Sequence, residues 1–322
     1  MRHLLLIAAL TLFCATARAE EPVIRVTLLG TGSPIPDPQR FGPATLVQAG
    51  GRNLLFDTGR GVTTRLYQLK VPFRNVSPVF ITHYHSDHVN GMPDLWLSGW
   101  LGGPWAKRTS PMHIIGPTGL RELTDNLTKA YAADIRIREA DEHYPPSGVA
   151  FDIEEFDKDG VVYEERGLKV TAFEVNHGDA IKPAYGYRVD YRGHAVVISG
   201  DTRMNENVVK YGTGVDVLIH EVCAARPEVT DEQAKTVMAH HTSPREAGMV
   251  FSRAKPKLAA FTHIVLIARP NLPAPTLDEV VSQTRQTYSG PLAVGEDLMS
   301  FDITDEGVTV AKRMSAALQR LQ

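Results

Sequence analysis

The sequence predicts an α/β fold in which two β-sheets are layered between outer helices, built as one domain. Three observations carry this expectation. From Val23 onward, short β-type runs alternate with stretches of helical periodicity. No fixed-period repeat, low-complexity tract or Pro/Gly/Ser-rich linker divides the 322 residues. A content of 43% hydrophobic and 22% charged residues is ordinary for a globular protein, which excludes disordered, collagenous and coiled-coil chains.

Residues 1–19 read as a secretory signal peptide. Arg2 and His3 precede an apolar run over 4–14, and the stretch closes on Ala17-Arg18-Ala19. That run is shorter than the roughly 20 residues a membrane span needs, and no other run in the sequence reaches that length. The expected mature protein is therefore a single domain over 20–322, periplasmic or secreted, with no membrane segment. Losing Arg2 and Arg18 makes it more acidic than the full sequence, whose formal net charge is −3. Such a balance offers nucleic acid little attraction. Cleavage also removes Cys14 and leaves Cys223 alone, so no intramolecular disulfide is expected.

Strands are expected over 23–29, 44–48, 53–56 and 79–81, separated by Gly- and Pro-rich turns. Apolar spacing predicts helices over 61–69, 93–100 and 119–132. Strands resume over 168–175, 185–191, 195–198 and 215–220. Ser243-Pro244-Arg245-Glu246 is a helix start in which Ser243 caps, Pro244 suits the first turn and Glu246 completes a capping box. A last helix covers 277–288. The charged stretch 135–165 lacks clear periodicity and is expected to pack over one edge of a pocket.

The segment Ile81-Thr82-His83-Tyr84-His85-Ser86-Asp87-His88 concentrates chemistry. Three imidazoles and a carboxylate fall directly after an apolar strand, where a turn can point several side chains into one space. Neutral imidazole and carboxylate suit a borderline divalent cation such as zinc. His177, Asp201 and His263 each follow another strand-like run, at 170–175, 196–199 and 258–262. Singly, each would be a turn or loop residue. Together they repeat one pattern, a ligand type at the end of an element, where layered α/β proteins place their sites.

With Leu28-Leu29-Gly30-Thr31-Gly32-Ser33, Phe56-Asp57-Thr58-Gly59-Arg60-Gly61, His83 to His88, Tyr185-Gly186-Tyr187-Arg188, Ser199-Gly200-Asp201-Thr202, His220-Glu221, His241-Thr242 and Thr262-His263-Ile264 in this order, the chain resembles the metallo-β-lactamase superfamily. Within it, the resemblance is to the branch of ribonuclease Z and the periplasmic arylsulfatase-type hydrolases. It implies a four-layer αβ/βα sandwich holding two divalent ions, zinc before manganese or iron. His83, His85 and His177 would bind the first ion; Asp87, His88 and His263 the second; Asp201 would bridge both. Asp57 would support the ligands from behind. Asp87 would also orient the nucleophile, His241 would protonate the leaving group and Glu221 would hold that imidazole. The plainer reading of His240 and His241 is a pair of solvated loop histidines. Two divalent ions against two aspartates and one hydroxide leave about +1 at the centre, which welcomes an anionic substrate.

The activity so implied is that of a secreted binuclear hydrolase in which a metal-bridging hydroxide cleaves a small anionic ester, a sulfate ester or a phosphodiester with an aromatic leaving group. Trp96, Trp100 and Trp105 either line a pocket for that group or pack in the core. Ribonuclease Z carries a long arm for transfer RNA between the segments matching 185–188 and 199–202. Here only 189–198 intervene, enough for a hairpin, so nucleic acid is not the expected partner. β-Lactamases of the superfamily lack a counterpart of Asp201, which ranks β-lactam hydrolysis lower; lactonases and phosphotriesterases share the ligand set. A non-catalytic periplasmic zinc-binding protein is the reading from another class, against which Asp87 and His241 speak. A homodimer is compatible with the sequence.

Overall fold

The computed structural model describes residues 21–312; the leader expected over 1–19 lies outside the described residues. The first half of the chain runs β1 (Ile24–Gly30), β2 (Ala44–Ala49), β3 (Arg52–Phe56), α1 (Val62–Gln68), β4 (Val76–Phe80), α2 (Ser86–Val89), α3 (Met92–Trp100), β5 (Met112–Pro117), α4 (Leu120–Ala130), α5 (Ala132–Asp141) and β6 (Phe151–Phe156). The second half runs β7 (Gly160–Glu165), β8 (Leu168–Glu174), β9 (Tyr185–Tyr191), β10 (His194–Ile198), α6 (Glu206–Gly212), β11 (Val217–Ala225), α7 (Glu232–His240), α8 (Pro244–Ala254), β12 (Leu258–Ile267), α9 (Leu277–Arg285), β13 (Leu292–Val294), β14 (Ser300–Thr304) and β15 (Gly307–Ala311).

Two sheets result, one ordered β15-β14-β1-β2-β3-β4-β5-β6 and the other β13-β12-β11-β10-β9-β8-β7. The period-2 alternation of their apolar residues builds the layers. Ile24, Val26, Leu28, Leu54 and Phe56 of the first sheet meet Val170, Tyr187, Val196 and Ile219 of the second in the central core. Leu46 and Leu55 turn the other way and pack under α1, α3 and α4 with Leu66, Leu95 and Leu120. Val197, Ala259 and Phe261 likewise pack under α6, α8 and α9 with Val208, Phe251 and Val280. Helix, sheet, sheet, helix is the four-layer αβ/βα sandwich. Each large side chain so buried contributes roughly 1.5–3 kcal/mol.

Several local expectations appear as read. The capping box at α8 is complete, with Ser243 N–H donating to Glu246 Oε2 at 2.9 Å and Glu246 N–H donating to Ser243 Oγ at 3.4 Å. β9 and β10 form a tight hairpin across Arg192 and Gly193, both at positive φ (49° and 85°), as a two-residue type I′ turn requires. The stretch 135–165 differs from expectation. It is not a cover over a pocket but the end of α5, a short 3₁₀ turn and the strands β6 and β7, which end the two sheets. Edge strands bury only alternate residues partially, so their apolar period is weak. Among the described residues, no helix is long and apolar enough to cross a membrane, and Cys223 is a free, buried thiol.

Candidate metal centre

β3 and β4 run parallel with Phe56 opposite Phe80, so the residues that follow them leave the sheet side by side. Asp57 takes φ +60° as it exits, a left-handed conformation that aspartate tolerates better than most residues. Its carboxylate then accepts from Thr82 N–H at 2.8 Å, Thr82 Oγ1 at 2.9 Å and His88 Nδ1 at 2.8 Å. One buried carboxylate thus ties both ends of the His83–His88 turn together. Thr82 stands inside the motif, but a hydroxyl is not a ligand type there and gave no signal of its own in the sequence.

With Nδ1 committed to Asp57, His88 presents Nε2, which is buried and has no hydrogen-bond partner. That nitrogen lies 3.3 Å from Asp201 Oδ2 and 3.7 Å from Asp87 Oδ2. His263 Nε2 lies 3.2 Å from each of the same two oxygens. On the other side, His83 Nε2 and His177 Nε2 stand 3.1 and 3.2 Å from His85 Nδ1, and 3.8 and 3.6 Å from Asp201 Oδ2. His177 is oriented by its Nδ1–H, which donates to the carbonyl of His240 at 3.0 Å. Among the described residues three overlapping groups emerge, His83, His85, His177 and Asp201 in one, Asp87, His88 and His263 in another, Asp201, His241 and His263 in the third, with the ligand atoms of each inside 4.8 Å of one another.

The donor set fits divalent cations. Two ligands each about 2.1 Å from one ion at a tetrahedral angle stand about 3.4 Å apart, and the distances above straddle that value. Protonation agrees. Burial, with His88 adding to it, depresses His83 far below the usual imidazole range, and burial takes His177 down to about 4, so both rings are neutral donors. Burial opposes charge on Asp201, but His263 and His88 hold its carboxyl well below the usual carboxylate range. His88 goes the other way: burial opposes its proton, yet Asp201 and Asp57 raise it well above the ordinary value. A cation there would take the place of that proton.

His263 reaches the centre through an irregularity. In the β11–β12 ladder Glu221 pairs with Thr262 and Val222 with Ile264, leaving His263 as an extra residue, at φ +40°. A bulge of this kind re-aims a side chain, here off the ladder and towards Asp87 and Asp201.

Above the centre, Glu221 of β11 is fully buried. Its Oε1 accepts from Thr202 N–H at 3.2 Å, Thr242 N–H at 3.0 Å and His241 Nδ1 at 3.1 Å. Burial works against the imidazolium of His241, but the Glu221 carboxylate outweighs it and the pKa is pushed up to about 9. The His241 ring centroid lies 4.9 Å from that of His177 and 5.7 Å from that of His263, and its side chain is only 9% exposed. His241 is therefore no solvated loop residue.

The structure brings together every candidate named from the sequence except the tryptophans. Trp96 and Trp100 are core residues, their indole N–H groups donating to Val149 and Pro145 carbonyls at 2.8 and 2.9 Å. Trp105 packs edge-on against Tyr67. An aromatic-leaving-group pocket is not built from them.

Comparison with known proteins gives a consistent picture. A family model described as a β-lactamase superfamily domain matches residues 52–264. A ribonuclease Z of Mycobacterium marinum is 33% identical over 287 residues, covering 87% of this chain and 99% of that protein. Among solved structures, the metallo-β-lactamase fold protein YhfI of Bacillus subtilis superposes with a TM-score of 0.68 at 20% identity, over 87% of this chain and 99% of its own. The short form of human tRNase Z superposes with a TM-score of 0.64 at 23% identity, again over 87% and 99%.

Proposed function

Because the chain belongs to the metallo-β-lactamase superfamily, we propose that it is a metal-dependent phosphodiesterase whose centre holds two divalent cations, zinc first. One observation carries the reading. The first two ligand groups converge on a single carboxylate oxygen, Asp201 Oδ2, which stands within 3.8 Å of four different imidazole nitrogens. His83, His85 and His177 would hold one cation, Asp87, His88 and His263 the other, and Asp201 both. When bound, such ions supply an activated water at neutral pH and Lewis-acid contacts to phosphoryl oxygens.

The chain's own residues complete the reaction. Asp87 would orient the attacking water. His241, charged because Glu221 stands behind it, donates its proton to the oxygen that leaves phosphorus, and a general acid of this kind is worth about 10²- to 10⁴-fold. Glu221, buried and held by two backbone N–H groups, keeps the imidazole in one orientation.

The relatives named ribonuclease Z favour a phosphodiester over a sulfate ester and bring RNA back among the substrates, against the expectation drawn from charge. The acidic chain and the tight β9–β10 hairpin favour a small organic phosphodiester instead. The leader-like residues 1–19 support a periplasmic or secreted location.

The test is metal analysis of the protein beginning at Glu20, with turnover of bis(4-nitrophenyl) phosphate, 4-nitrophenyl sulfate, nitrocefin and a precursor transfer RNA. Two ions per chain and preferred hydrolysis of the first are expected. Bound metal without turnover of any of the four would leave a zinc-binding protein and overturn the reading.

A further inference from the structure

A cavity of about 430 Å³ opens beside the centre, between the loop after β1, one face of α7 and the far end of β12. Ile35, Ala234, Val237, Val265, Leu266 and Ile267 form most of its wall, and His241 stands at its inner end. Ala234 and Ile267 rest on Cys223 and Val229 in a buried cluster, so the floor is packed rather than loose. We propose that this cavity seats the leaving group of the substrate, and that the group is uncharged and apolar, an aryl or bulky alkyl moiety. The inference deepens the phosphodiesterase reading above and rests on it.

The geometry supplies the first argument. His241 offers a ligand-type nitrogen within 4.8 Å of those of Asp201 and His263, so one imidazole borders both the reacting centre and the cavity. In the reaction, water oxygen forms a bond to phosphorus and sheds one proton to solvent, the bond from phosphorus to the departing oxygen breaks with its electron pair on that oxygen, and His241 protonates it and is reprotonated from solvent. The group attached to the departing oxygen lies on the His241 side of phosphorus, and the cavity that His241 also lines is there to receive it. A site of this size accepts one aromatic ring system comfortably.

Charge supplies the second. The ionisable groups on the wall are His241 and Arg269. The Arg269 guanidinium is already committed, its Nε and Nη2 donating to the two oxygens of Asp231 at 2.7 and 2.8 Å. Among the described residues, no free cation on the wall awaits the next phosphate of a polynucleotide, and seating a charged group against this surface without a partner is costly. Exposure supplies the third. Ile35 is 74% exposed at the cavity, an apolar side chain that a bound ring would cover. The leaving-group site that the tryptophans do not build is thus assigned to residues of a loop, a helix and a strand around Ile35, Val237 and Val265.

The test uses methyl 3-chlorophenyl phosphate and methyl 4-sulfonatophenyl phosphate, whose leaving phenols have comparable acidity and differ in charge, with zinc-loaded protein. The neutral ester is expected to show at least about tenfold higher kcat/KM, the scale on which apolar pockets discriminate. Val237→Arg, and independently Ile35→Arg on the exposed loop, are expected to narrow or reverse the preference with zinc content unchanged. A second readout does not need turnover: in chelator-treated protein, 3-chlorophenol should show saturation-transfer NMR contact that Val237→Arg abolishes. Equal kcat/KM for the two esters, or both falling alike in the variants, overturns the proposal. Failure of zinc-loaded wild type on both esters overturns the phosphodiesterase reading instead, and the NMR contact then still decides whether the cavity binds an apolar ring.

Discussion

His241 Nδ1 lies 3.1 Å from Glu221 Oε1, a carboxylate oxygen that also accepts two backbone N–H groups and belongs to a fully buried side chain. A carboxylate oxygen already held by two backbone N–H groups cannot follow the imidazole, so the imidazole follows it. With Nδ1–H committed there, Nε2 is the nitrogen left to donate, on a ring whose centroid lies 4.9 Å from that of His177 and 5.7 Å from that of His263.

Replacing His241 with Ala removes the proton donor without touching a proposed ligand. Turnover should fall by about 10²- to 10⁴-fold, while metal content by elemental analysis stays at the wild-type level. Loss of metal would instead make His241 a ligand.

Glu221→Gln tests the pair by pH. The carboxylate raises the imidazole pKa, to about 9, so its neutralisation should lower that value. The protonated acid is then lost at a lower pH, and the alkaline limb of kcat should move down with it. The His241 imidazole resonance, followed by NMR titration, should shift in the same direction; an unmoved titration would rule out the coupling.

Among the described residues, the Asp57 carboxylate reaches the centre through its hydrogen bonds to Thr82 and His88. In Asp57→Asn the amide can no longer accept from all three donors, and His88 loses its fixed tautomer. Metal affinity, read by competition with a chelator, should weaken by about 10- to 100-fold, with the fold retained by circular dichroism.

Far from the centre, His194 Nδ1 and Nε2 lie 3.3 Å from Asp216 Oδ2 and 3.0 Å from Asp305 Oδ1. The hydrogen bond to Asp305, aided by Asp216 and opposed by burial, raises its pKa above the ordinary imidazole value. The folded value exceeds the unfolded one of about 6.5, so the stabilisation is complete below that pH and disappears as pH rises through the folded value. Denaturant unfolding at pH 6 and pH 8 should show a larger loss for wild type than for His194→Gln.

How far the site could be read in advance differs residue by residue. His83, Asp87 and His88 were legible because a short turn after a strand leaves few directions for consecutive side chains. Ser243 and Glu246 were legible for a similar reason, since a capping box is complete within four residues. The edge strands β6 and β7 were not, because one face of each looks to solvent and the apolar alternation fades. Trp96 and Trp100 were ambiguous, as a large ring serves a pocket or a core equally well until its neighbours are known.

Local order along the chain carries the element types and the ligand chemistry, because alternation, caps and turns are interactions between residues a few positions apart. It does not carry the meeting of Asp87 with His263, 176 positions away, nor the extra residue in β12 that aims His263 at it. Those follow from two sheets packing face to face through a shared apolar core, which places the ends of distant strands at one rim. The apolar cavity beside His241 has the same origin: its wall comes from a loop, a helix and a strand that are neighbours only once the layers are closed.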